Sequence, residues 1–74
     1  MSPYQEYLEL FDYFGRGGMV RLDRVAFEAC DGEFTALVER LGRLEETEMA
    51  RLVVLKTVLF RDRPTLAQIR RTGG

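Results

Sequence analysis

One stretch limits the fold of this chain more than any other, the run "EMARLVVLKTVLF" from Glu48 to Phe60. On a helix, its apolar residues cover most of the circumference instead of one narrow stripe. A helix of that kind is buried on several sides, so we expect it to be the central helix, either of a monomer or of a dimer interface. The β-branched "LVVL" would also suit a strand, but the helix-forming residues on both sides favour the helix.

A first helix is predicted at about 3–14, in the segment "SPYQEYLELFDYF". Ser2 suits the N-cap, Pro3 the first helical position, and Gln5 completes a capping box. Tyr and Phe residues recur at helical spacing on one face of this segment. The glycines of "GRGG" at 15–18 are predicted to stop the helix.

A second helix, continuous or broken, is predicted at about 23–41, with Asp23 as its N-cap. An apolar stripe runs along it, formed by Phe27, Cys30, Phe34, Leu37, Val38 and Leu41. Gly32 is unfavourable inside a helix, and Asp31 could start a new one, so a corner at this point is the alternative. Because the stripe stays in phase across the glycine, we favour one helix. Cys30 is predicted to be an inert core cysteine.

The central helix is predicted at about 45–61, and its end is set by the residues that follow. Pro64 cannot continue it, and Thr65 with Gln68 forms a second capping box, which predicts a short terminal helix at about 65–72. The fold class is therefore an all-α bundle of three to four helices with a short C-terminal helix, formed by a single domain over residues 1–74.

Composition predicts how such a bundle behaves. With 74 residues, 46% of them hydrophobic, the chain has more apolar side chains than so small a core covers easily, so we expect a homodimer. The net charge is −1, which provides no global basic field for nucleic acid. A single cysteine, no disulfide framework and no long apolar run predict a cytoplasmic protein without a membrane segment.

The residues needed for most catalytic and metal sites are missing. The chain has no histidine and one cysteine, which removes the commonest general base and the commonest zinc ligands. The glycines near position 15 lack the spacing of a phosphate loop. We therefore predict that the protein is not an enzyme and has no catalytic residues, no metal site and no cofactor.

The predicted function is that of a non-enzymatic adaptor or regulatory protein that acts by binding another protein. Aromatic residues on the first helix and arginines near the C-terminus are the side chains that interfaces favour. The predicted partner-binding set is Tyr4, Tyr7, Phe11, Tyr13, Arg61, Arg63, Arg70 and Arg71.

Two alternatives remain at this point. The C-terminal arginines would let a small transcriptional regulator contact DNA phosphates. The segment "LVVLKTVLFRDRPTLAQIRRTGG" resembles the opening helices of a helix-turn-helix or winged-helix domain, although the helix that would enter the major groove is missing from it. A structural subunit of a larger assembly is the other alternative.

Overall fold

The computed structural model describes residues 2–15 and 18–73, and within them the fold is all-α without strands, which confirms the predicted class. The four α-helices are α1 (Pro3–Phe14), α2 (Arg24–Glu39), α3 (Glu46–Val58) and α4 (Leu66–Gly73). A 3₁₀ turn at Leu41–Arg43 joins α2 to α3. Met1, Arg16, Gly17 and Gly74 lie outside the described residues. Arg16 and Gly17 belong to the segment at 15–18 that is predicted to stop the first helix.

Side-chain caps set where the first two helices begin. The Ser2 hydroxyl accepts a hydrogen bond from the Gln5 backbone N–H at 3.2 Å, and the Asp23 carboxylate accepts one from the Ala26 N–H at 2.8 Å. Each cap satisfies a backbone donor that the first turn of a helix leaves without a partner. Both predicted N-caps are therefore present.

α2 is continuous through Gly32, as the in-phase stripe predicted. Asp31 does not start a new helix, because its carboxylate bonds to Arg61 and its carbonyl accepts a hydrogen bond from the Thr35 hydroxyl at 2.9 Å. The helix ends at Glu39, slightly earlier than predicted. Beyond its buried part, Val38 and Leu41 are exposed instead of extending the core stripe.

The central helix differs from the prediction in both length and burial. α3 ends at Val58 and not near residue 61, because the backbone reverses at Phe60. Leu52 and Leu55 are buried, but Val53 and Val54 are exposed. Within the single chain, the helix is therefore buried on one side only, and its remaining apolar residues face outward.

The apolar residues pack in two separate groups. The aromatic cluster draws on α1, α2, α4 and the α3–α4 turn, and its buried members are Tyr7, Leu10, Phe27, Leu59, Phe60 and Leu66. The leucine cluster comes from α2 and α3 alone, and its buried members are Leu37, Leu52 and Leu55. Cys30 packs against both clusters but is half-buried, so it lies at the edge of the core and not in its centre as predicted.

Two tyrosines hold the segment before α2 against α1. The Tyr4 hydroxyl donates to the Leu22 carbonyl at 3.1 Å, and the Leu22 N–H donates to the Tyr7 hydroxyl at 2.9 Å. Both backbone polar groups of Leu22 are thereby satisfied without a strand or a helix. This clamp closes the aromatic end of the molecule.

Ion pairs join α2 to α3 along one flank of the hairpin that the two helices form. Arg51 donates two hydrogen bonds to the Glu33 carboxylate, at 2.8 and 2.9 Å, and Arg40 bonds to Glu48. The bond from Arg51 lowers the pKa of Glu33. The pKa of Glu48 is lowered most by the hydrogen bond from the Glu45 backbone N–H and next by the bond from Arg40.

Candidate functional site

The α3–α4 turn forms a basic groove, because the backbone at its start adopts an unusual conformation. Phe60 has a positive φ of 58°, in the left-handed region where glycine is usual. The Phe60 N–H donates to the Thr57 carbonyl and the Arg61 N–H to the Lys56 carbonyl, at 3.2 and 2.8 Å. These two bonds form a Schellman motif, which ends α3 and sends the chain sideways.

The Phe60 side chain holds this backbone in place. A left-handed conformation costs a non-glycine residue about 1–2 kcal/mol, but the Phe60 ring is buried and packs against Tyr7, Phe11 and Phe14, with ring centroids 5.8, 6.1 and 6.4 Å away. Burying a phenylalanine is worth more than the backbone cost. The core therefore fixes the direction in which the following arginines leave α3.

Two arginines of the turn are positioned by neighbours on other helices. Arg61 bonds to Asp31 of α2, and its guanidinium lies 5.8 Å from the centre of the Phe34 ring. Arg63 lies over the Phe14 ring at 4.9 Å. A guanidinium over an aromatic face keeps its N–H donors directed to the sides, where a carboxylate can reach them.

The helix that follows forms the other wall of the groove. Thr65 and Gln68 cap α4 reciprocally, with the Thr65 N–H donating to the Gln68 side-chain oxygen at 2.8 Å and the Gln68 N–H donating to the Thr65 hydroxyl at 3.3 Å. The arginine groove, as we call it, is open to solvent and has a volume of about 550 Å³. Its lining residues are Arg61, Asp62, Arg63, Pro64, Gln68 and Arg71.

The groove has a net positive charge, because three of its lining residues are arginines and one is an aspartate. Within the described residues, neither Arg63 nor Arg71 takes part in an ion pair. Their charges are therefore available to an incoming anion without breaking an internal bond.

An exposed tyrosine adjoins this basic surface. Tyr13, at the end of α1, is 58% exposed, and its ring contacts Phe14 edge-to-face with centroids 4.7 Å apart. Since Arg63 lies over that same Phe14 ring, Tyr13, Phe14 and Arg63 form one continuous surface. An exposed aromatic ring beside cationic groups is a common feature of protein interfaces.

The structure divides the predicted aromatic part of the partner-binding set. Tyr7 is 2% exposed, so its side chain belongs to the core and offers a partner no surface. Burial raises the pKa of the Tyr7 hydroxyl, partly offset by the hydrogen bond from the Leu22 N–H. Tyr4 and Phe11 are half-buried and pack against the aromatic cluster. Tyr13 alone of the four is fully on the surface.

The arginine part of the set also separates. Arg61, Arg63 and Arg71 line the groove, but Arg70 points to another side, where it lies 3.4 Å from the Glu9 carboxylate of α1. The groove also includes Pro64 and Gln68. From the sequence, Pro64 was expected only to end a helix and Gln68 only to cap one. Pro64 directly follows Arg63, and Gln68 lies three residues before Arg71, about one helical turn. This spacing was the signal that could have revealed them.

Other kinds of site have no counterpart in the described part of the chain. Within residues 2–15 and 18–73, no group of three or more acidic or cysteine side chains is arranged to hold a metal ion. No helix in these segments has the length and apolar character that crossing a membrane requires. Comparisons with known protein families, curated proteins and solved structures find no match to this chain.

Proposed function

We propose that this protein is a non-enzymatic interaction module whose arginine groove binds an acidic segment of a partner protein. The observation that carries the proposal is the placement of Arg61, Arg63 and Arg71 around one open groove. Two of them, Arg63 and Arg71, have no carboxylate partner among residues 2–15 and 18–73. Arginine binds a carboxylate through two parallel hydrogen bonds, which gives both affinity and orientation.

The surroundings of the groove favour a peptide as the ligand. Tyr13 and the Phe14 ring extend the charged surface with an aromatic one, so a segment that places an apolar residue next to its acids would contact both. Because Arg63 is supported by Phe14 and Arg61 by Asp31, less side-chain entropy is lost on binding than for free arginines.

The size of the basic surface argues against duplex DNA as the ligand. Three arginines beside Asp62 provide few phosphate contacts, and nonspecific DNA affinity rises with the number of phosphates neutralised. An acidic peptide needs only the two or three charge-assisted bonds that the groove can make.

The test is a titration of labelled peptides followed by fluorescence anisotropy. The probe contains four glutamates next to a phenylalanine, and the comparison peptide has glutamine at each glutamate. We expect the acidic peptide to bind more tightly, and its affinity to fall with salt because the contacts are exposed. Equal affinity for the two peptides, or tighter binding of a duplex DNA of similar length, would overturn the proposal.

Charge reversals on the protein locate the binding surface. We expect Arg71→Glu to weaken binding of the acidic peptide by roughly tenfold, since a charge-assisted bond is replaced by repulsion. Arg43→Glu is the matched control, because Arg43 is exposed in the 3₁₀ turn at the opposite end of the α2–α3 hairpin. If Arg43→Glu weakens binding as much as Arg71→Glu, the peptide responds to overall charge and not to the groove.

A further inference from the structure

One face of the molecule is covered by α1 at one end and left open at the other. Phe27 of α2 packs under Tyr4 and Tyr7 of α1, with ring centroids 5.4 and 5.1 Å away. Val38 lies eleven residues further on, about three turns along the same side of the helix, and it is exposed. Among the described residues, none from α1 or α4 packs against the leucine cluster.

The open face continues from α2 onto α3. Val38 follows the buried Leu37, and Val53 follows the buried Leu52, so each is rotated by about 100° in the same sense. Because the two helices run antiparallel, this rotation brings both valines to one flank of the hairpin. The ion pairs from Arg51 and Arg40 occupy the opposite flank. Four exposed apolar side chains therefore lie on this side of the hairpin: Val38, Leu41, Met49 and Val53.

A single stripe on α3 carries opposite charges at its two ends. The α3 stripe consists of Glu46, Met49, Val53 and Lys56, spaced three, four and three residues apart as in the contact seam of paired helices. Its two central members are apolar and exposed. Within the described residues, neither Glu46 nor Lys56 forms an ion pair.

We infer that a second copy of this chain packs on this face with its α3 antiparallel to the first. The two-fold axis passes near residue 51, so Met49 of each copy contacts Val53 of the other. Glu46 of each copy then lies opposite Lys56 of the other, so the dimer contains two pairs of opposite charges. A parallel pair would instead place Glu46 against Glu46 and Lys56 against Lys56, which is unfavourable.

The same axis also brings the two α2 helices together. Val38 lies at about the level of residue 51 on the neighbouring α3, since Leu37 and Leu52 pack in one cluster. The two hairpins thus form an antiparallel four-helix layer with Val38, Met49 and Val53 at its centre. The second copy takes, at the leucine end, the position that α1 occupies at the aromatic end. This surface is separate from the arginine groove.

Sedimentation equilibrium on the full chain tests the pairing. We expect a monomer–dimer equilibrium for the wild type and a dissociation constant raised on the order of 100-fold by Val53→Glu, because a carboxylate would be buried against Met49. Val54→Glu is the matched control, since Val54 is 49% exposed on α3 but lies off the stripe. A wild type that stays monomeric at millimolar concentration, or equal effects of the two substitutions, would overturn the inference.

Charge reversal tests the direction of the pairing. Glu46→Lys alone and Lys56→Glu alone should each raise the dissociation constant by roughly tenfold, since two attractive pairs become repulsive. The double variant Glu46→Lys with Lys56→Glu should return it to near the wild-type value, because the antiparallel match is restored. Absence of this recovery, with circular dichroism showing each variant folded, rules out the antiparallel register. Val53→Glu should leave binding of the acidic peptide unchanged. The dimer and the peptide-binding groove are therefore tested independently of each other.

Discussion

The two ends of the α2–α3 hairpin are built from the same helices but are covered differently. At the aromatic end, α1, α4 and the α3–α4 turn surround Phe27, Leu59 and Phe60. At the leucine end, the three buried leucines pack against each other and, within the described residues, against a few partly buried neighbours. The aromatic end is thus a small core covered on all sides, whereas the leucine end is a core with one side uncovered.

This difference shows how a short chain distributes limited apolar material. A chain of 74 residues cannot surround every part of a molecule that is 40 Å long. Its aromatic residues lie in α1, in α2 and just after α3. All of them except Tyr13 belong to the aromatic cluster or pack against it, so they close one end tightly. The aliphatic residues of the other end provide a small core and, on the outside, a surface that is ready for a second chain.

The sharpest contrast between the ends is expected from Phe60→Ala. This substitution removes the ring that packs against three aromatic neighbours, and we expect a loss of about 3–5 kcal/mol in the free energy of unfolding. For a domain of this size, such a loss leaves much of the protein unfolded at 25 °C. Urea denaturation followed by circular dichroism measures it. A loss as small as that caused by Val54→Ala on the exposed side of α3 would show that Phe60 does not hold the closed end together.

At the leucine end, Leu55→Ala is the corresponding change. Leu55 is 1% exposed, and within the described residues the buried leucines of its cluster come from α2 and α3. These two helices can move together to fill the cavity. We therefore expect a loss of about 2–3 kcal/mol, in the lower part of the range for such substitutions. Because a second copy packed on this end would restrict that movement, the loss should be larger at protein concentrations above the dimer dissociation constant. The same urea titration at two protein concentrations checks this, and a loss greater than that of Phe60→Ala would reverse the proposed ranking.

Helix positions could be predicted from sequence because their signals are local. Ser2 and Asp23 cap the helices that they were expected to cap, and the in-phase stripe correctly indicated that Gly32 lies inside one helix. These outcomes depend on backbone hydrogen bonds within a few residues, which spacing and capping rules describe well.

The burial of α3 and the site could not be predicted in the same way, because they depend on distant residues. The apolar circumference of α3 indicated burial on several sides, but which sides are covered is decided by where α1 docks. Phe60 in a left-handed conformation could not be expected at a position where glycine is usual. That conformation directs Arg61 and Arg63 to the groove. The sequence alone therefore could not show which members of the predicted arginine set lie together. Tyr7 was similarly drawn into the core by its contacts with Phe27 and Phe60.

The smallest expected effect concerns the ion-paired flank and its dependence on pH. The pKa of Glu33 is lowered in the folded protein by the hydrogen bonds from Arg51. A lowered pKa means that the carboxylate stabilises the fold above its ordinary pKa of 4.5, and that this contribution is lost as the pH falls below that value. Glu33→Gln should therefore lower the Tm slightly at pH 7, and the difference from the wild type should shrink as the pH falls below 4.5 and the carboxyl becomes protonated, as measured at about pH 3.

Glu39→Gln is the control for this prediction, since it removes the same charge from an exposed position of α2 that takes part in no ion pair within the described residues. Thermal unfolding of both variants at the two pH values separates the pair from the charge itself. The flank is exposed, so the effect is small even at low salt and should shrink further as salt is added. If the difference between Glu33→Gln and wild type were instead larger at about pH 3 than at pH 7, the Arg51 pair would not be what stabilises this flank.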